Sequence, residues 1–95
     1  MKLSKKKLYN FLENKIVNNF DIDKKNFDIY TDLIGSKAII KSSELLEIFL
    51  ATEEYLSNFS IKFNWPKMMS ISINPHPASN IKLLVEYILY KNEKY

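Results

Sequence analysis

Between Ser42 and Leu56 the chain places Leu45, Ile48, Phe49, Thr52 and Leu56 on one side, three or four positions apart. Glu44, Glu47 and Glu54 lie largely on the other side. That spacing predicts an amphipathic α-helix from about Ser43 to Leu56, whose apolar stripe must be buried against another element. Ser42 or Ser43 is its natural N-cap, because a serine oxygen there accepts a backbone N–H that a helix start leaves unpaired. The β-branched Ile48 and Thr52 are tolerable once the helix is packed. With 1 Gly and 3 Pro in 95 residues, the chain also lacks the turn punctuation of an all-β protein.

The same periodicity predicts two further helices. From Ser4 to about Phe20, Leu8, Phe11, Leu12, Ile16 and Phe20 share one side, with Ser4 as the cap. Lysines in that first turn oppose the helix dipole and favour fraying. Near the C-terminus, Ser79 or Asn80 caps a helix from Ile81 to about Lys91, with Ile81, Leu84, Val85 and Ile88 facing inward. Between the first two helices, Asp21 to Asp32 reads as a long surface loop pinned by Ile22, Phe27, Ile29 and Leu33, and Gly35 marks a turn before Ile39 and Ile40. Residues 57–74 are ambiguous. Phe59, Ile61 and Phe63 alternate with polar residues, as do Met69, Ile71 and Ile73, which permits a short β-hairpin around Asn64-Trp65-Pro66-Lys67. The competing reading is an irregular flap with a helical turn. The expected fold is therefore all-α, a small bundle of three long helices plus an irregular segment at about 57–74, in one domain over residues 1–95.

Composition removes several classes of function. A chain of this size buries roughly 60 to 65% of its unfolded surface, enough for one modest core. Six Phe, six Tyr and one Trp supply bulk for it. Cysteine is absent, which excludes disulfides, thiolate metal sites and cysteine nucleophiles. The one histidine, His76, cannot build a metal cluster alone, and, set between two prolines with no evident carboxylate to orient it, it is not read as completing a triad with Ser42 and Glu44. No catalytic or metal-ligating residues are assigned. Trp65, Met68 and Met69 read as core or flap packing.

No apolar run approaches the ~20 residues of a membrane span, and the polar stretch after Lys7 does not suit a signal peptide. The expectation is a soluble, cytoplasmic monomer. The net charge is +3, and all 14 basic residues are lysines. Base-reading sites rely on the rigid fork of arginine, so the lysine excess does not point to nucleic acid.

Against that basic background, residues 42–57 contain four glutamates and no lysine. The run Lys41-Ser42-Ser43-Glu44-Leu45-Leu46-Glu47-Ile48-Phe49-Leu50-Ala51-Thr52-Glu53-Glu54-Tyr55-Leu56 resembles the modified-serine helix of acyl carrier and peptidyl carrier proteins. The family pattern there is Asp-Ser-Leu, a polar residue, two apolar residues, Glu-Leu, then apolar positions ending in Glu-Glu. Thr31-Asp32-Leu33-Ile34-Gly35-Ser36 resembles the loop before that serine, and Ile81-Lys82-Leu83-Leu84-Val85-Glu86-Tyr87-Ile88 the closing helix. The likeness spans about residues 5–90. It departs from the family at Lys41 for aspartate, at Ser43 for leucine, in a longer segment before the last helix, and in the basic net charge.

The resemblance implies an acyl-carrier-like bundle that is not itself an enzyme. It implies a 4′-phosphopantetheine arm on Ser42 carrying an acyl or aminoacyl thioester; the neighbouring Ser43 hydroxyl is the alternative, and the basic chain and altered motif favour a dedicated biosynthetic pathway. Glu44, Glu47, Glu53 and Glu54 would dock partner enzymes. The implied partners are a phosphopantetheinyl transferase, an acyl- or amino-acid-activating enzyme and a transferase. The alternative is a carrier-like interaction module without a prosthetic group, which binds a partner protein through its acidic second helix.

Overall fold

In the computed structural model, which describes residues 3–94, the Ser4 hydroxyl oxygen accepts the Lys7 N–H at 3.1 Å and opens α1, Lys5–Asn19. Leu8, Leu12 and Ile16 are its buried residues, each four positions from the last. That places them along one stripe of the helix. The helix closes as Phe20 N–H bonds Ile16 O at 3.2 Å and Ile22 N–H bonds Val17 O at 3.1 Å, around Asp21 at φ 52. Aspartate is among the few residues that tolerate this left-handed conformation.

The connection to the next helix is tied down locally and at long range. Asp23 caps a short 3₁₀ turn, Lys24–Asn26, by accepting the Lys25 N–H at 3.0 Å. Asp28 Oδ1 accepts the Tyr30 N–H at 2.8 Å, and Thr31 Oγ1 accepts the Asp28 N–H at 2.9 Å. Phe27, Leu33 and Ile40 are buried beneath the loop, while Ile22 and Ile29 are half-buried. Gly35, at φ +90, turns the chain where a side chain would be strained although nothing lies near its Cβ position.

The second helix, α2, spans Ser42–Ser57 and buries Leu45, Ile48, Phe49, Thr52 and Leu56, the five positions its periodicity predicts. The buried Thr52 hydroxyl donates to Ile48 O at 2.6 Å, which satisfies the one polar side chain in that stripe. α1 packs against α2 and against the last helix. Phe11 stacks on Tyr55 with ring centres 4.0 Å apart, and Phe59 adds a third ring 5.3 Å from Tyr55.

No β-hairpin forms at 57–74; the described residues contain no strand. Ser60, at φ 59, turns the chain as Ile61 N–H bonds back to Leu56 O at 3.1 Å. Ile61 and Phe63 do alternate inward and are 8% and 5% exposed. The second arm fails because Asn64 caps a helical turn, accepting the Lys67 N–H at 3.2 Å, and Pro66 suits the first turn. The resulting α3, Trp65–Met69, points Met68 into the core and leaves Met69 and Ile73 40% and 59% exposed. The competing reading, a flap with a helical turn, describes this segment.

The last helix, α4, covers Ile81–Lys94 and runs past the expected end near Lys91. Ile81, Leu84, Val85 and Ile88 are its buried face. Its start is joined to the distant loop: Leu33 N–H bonds Ser79 O at 2.8 Å, and Lys82 N–H bonds Ile29 O at 3.1 Å. Asn80 Oδ1 accepts the Leu83 N–H at 2.9 Å, as an N-cap does. Asn80→Ala is expected to lower stability by about 1 kcal/mol, with Asn80→Asp close to wild type. Urea unfolding checks this, and equal midpoints for Asn80→Ala and wild type would count against the cap. No helix of the described residues is long and apolar enough to cross a membrane.

Candidate functional site

The start of α2 differs from its sequence reading by one residue, and the difference concerns the serines. Neither Ser42 nor Ser43 is the N-cap. That position belongs to Lys41, in extended conformation at φ −81 and ψ 160. Its backbone N–H donates to Glu44 Oε1 at 2.7 Å, while Leu45 N–H makes the first helical bond to Lys41 O at 2.9 Å. A lysine side chain has only donors, so the reverse half of a capping box is absent. The Glu44 carboxylate thus fixes the helix start and relieves both serines of capping.

Ser42 and Ser43 become the first two helical residues, and both are exposed. The Ser42 hydroxyl has no hydrogen-bond partner among the described residues. The backbone N–H groups of Ser42, Ser43 and Glu44 belong to the first turn, where donors lack an intrahelical acceptor, at the positive end of a 16-residue helix. Lys41 adds an exposed ammonium beside them. A phosphodiester on Ser42 Oγ fits this setting, since the oxygen is accessible and the first-turn N–H groups and the Lys41 ammonium favour its charge, against the Glu44 carboxylate that caps the same turn.

Projected at 3.6 residues per turn, Ser42, Leu46, Leu50 and Glu53 fall within an arc of about 80°. Ser43, Glu47 and Glu54 adjoin it on one flank. Leu46 and Leu50 are 43% and 55% exposed, so the outer face of α2 is an apolar line edged by carboxylates. Glu47, Glu53 and Glu54 are exposed and form no ion pair among the described residues. Glu13 and Glu86, by contrast, meet Lys24 at 3.8 Å and Lys82 at 2.9 Å. The hydrogen bond and charge of the second contact hold Lys82 above and Glu86 below their ordinary pKa values. In a chain with 14 lysines, three unpaired carboxylates on one helix leave a negative surface available to another molecule. Glu44 differs from these, being half-buried and committed to the Lys41 N–H.

At the far end of α2, Trp65 Nε1 donates to Glu53 Oε1 at 3.4 Å beside an open groove of about 530 Å³. Sequence reading missed both this contact and the exposed Leu50. Leu50 was detectable, lying four residues from Leu46 and eight from Ser42. The Trp65–Glu53 pairing was not, since it joins two elements across 12 positions.

His76 takes no part in a triad. Its Nδ1 accepts the Ala78 N–H at 2.9 Å and Ser79 N–H bonds its carbonyl at 3.0 Å, so it shapes the approach to α4. Neither a protein-family model, nor a curated protein, nor a solved structure matches this chain.

Proposed function

We propose that the protein is a carrier that holds an acyl or aminoacyl thioester on a 4′-phosphopantetheine arm at Ser42. One observation carries the reading: an exposed Ser42 hydroxyl, without a hydrogen-bond partner among the described residues, in the first turn of the long acidic helix. When bound, the group supplies a terminal thiol whose thioesters are activated for transfer between enzymes. The chain itself needs only to anchor and present it. The N–H groups at the start of α2 and the Lys41 ammonium favour the phosphodiester charge. Glu47, Glu53 and Glu54, with Leu46 and Leu50 between them, offer a surface to a transferase and an activating enzyme that carry basic patches. Attachment would form a bond from Ser42 Oγ to the pantetheine-side phosphorus of coenzyme A and break its pyrophosphate P–O bond, with adenosine 3′,5′-bisphosphate leaving and the serine proton passing to the transferase or solvent.

Incubation with coenzyme A and a broad-specificity phosphopantetheinyl transferase is expected to raise the intact mass by one phosphopantetheine. The same outer face also favours a second reading. Unpaired carboxylates flanking two exposed leucines form a protein-binding surface that requires no prosthetic group. An unchanged mass with several transferases, the native host's included, would favour that interaction module.

A further inference from the structure

The groove at the far end of α2 carries chemistry that the attachment site does not use. Trp65 is half-buried, and its ring lies 5.8 Å from Phe49 at 31°. Phe49 is fully buried, so it backs the indole from the core side. On the open side the indole borders the groove together with Glu53, Lys62, Phe63 and Asn64. Glu53 Oε1 receives the indole N–H, and Oε2 has no partner among the described residues. A carboxylate at the edge of a backed indole suits a planar cation, which can stack on the ring while it donates to the free oxygen. A guanidinium meets both demands. An ammonium is a hydrated point charge without a planar face.

Position adds a second constraint. Glu53 and Ser42 share one side of α2, eleven residues or about 16 Å apart along the axis, with Leu46 and Leu50 between them. A protein that lies along this line from the Ser42 end reaches the groove at the other.

We infer that the Trp65–Glu53 groove is an arginine-accepting subsite, and that proteins docking on α2 insert an arginine side chain there. The partner surface therefore extends beyond α2 onto residues 62–65. The choice of occupant follows from the charge of the Glu53 carboxylate, which forms no ion pair among the described residues even though Lys62 lines the same groove. This inference deepens the docking part of the proposed function and does not require modification of Ser42, so each can fail without the other.

The chain has one tryptophan, so its fluorescence reports this groove alone. The probes are N-acetyl-arginine amide, N-acetyl-lysine amide and N-acetyl-citrulline amide, the last a neutral shape-mimic of the first. The arginine probe is expected to change Trp65 emission saturably, with lysine about three- to tenfold weaker and citrulline without saturable effect. Glu53→Gln is expected to weaken the arginine response about tenfold while the circular dichroism stays that of the wild type. Trp65→Phe removes the reporter, so Lys62 and Asn64 amide shifts follow binding there, and weaker binding than in wild type is expected. Equal responses to arginine and citrulline, an undiminished response in Glu53→Gln, or no saturable response to the arginine probe would each overturn the assignment.

Discussion

Phe49→Ala is expected to cost about 3–5 kcal/mol of folding stability, the range for removing a fully buried aromatic ring. Phe49 has no exposed surface and stands at the junction of three elements. Its ring meets Phe63 edge-on at 5.9 Å and 89°, and lies against Trp65 at 5.8 Å. It therefore ties α2 both to the extended stretch before α3 and to α3 itself. A protein of this size has roughly 5–15 kcal/mol in total, so the variant should be close to unfolding. Phe49→Leu keeps much of the volume and should cost far less. Urea unfolding followed by Trp65 fluorescence measures both, and the emission of folded Phe49→Ala should move to the red as the indole loses its backing. A loss below about 1 kcal/mol would mean that residues 61–69 do not pack on α2 as described.

The second large effect is chemical. If the protein is the carrier proposed above, Ser42→Ala is expected to abolish phosphopantetheine attachment completely, whereas Ser43→Ala should retain it. Both serines are exposed, but Ser42 alone matches the modified position of the carrier pattern. Stability separates this role from capping. An N-cap serine loses about 1 kcal/mol on replacement by alanine, while a surface residue that caps nothing stays within about 0.5 kcal/mol. Because Lys41 and Glu44 start the helix, Ser42→Ala should fall in the second group. Glu44→Ala should be the destabilising change at this helix start. Intact mass and urea midpoints on the three variants check the pattern. An adduct that persists in Ser42→Ala and vanishes in Ser43→Ala would move the attachment point.

Local signals explain why the three long helices were legible from residues alone. In α1, α2 and α4 the buried side chains recur every three or four positions, and Ser4 and Asn80 cap where their oxygens reach the helix start. At α2 the same logic, which offered Ser42 or Ser43, misplaced the cap by one or two residues. Two adjacent serines gave the stronger local signal, yet a carboxylate three residues beyond Lys41 captured the backbone donor first. The hairpin expectation at 57–74 failed. Ile61 and Phe63 face the core, but the alternation in Met69, Ile71 and Ile73 has no structural counterpart, because burial there falls on Met68.

Illegible features are those fixed by distant residues. The bond from Leu33 to Ser79 and the contact of Glu53 with Trp65 depend on how elements meet. No local pattern marks either one. For the candidate site, the serine and the acidic face were readable as residue types. That Glu47, Glu53 and Glu54 form no ion pair among the described residues was not, and carboxylates left without a cation are open to another molecule.

The most direct measurement is the intact mass of the protein purified from its native host, followed by peptide mapping. The carrier reading predicts a phosphopantetheine adduct on the peptide that bears Ser42. An unmodified mass in every preparation, persisting after exposure to the host's own transferase and coenzyme A, would contradict it.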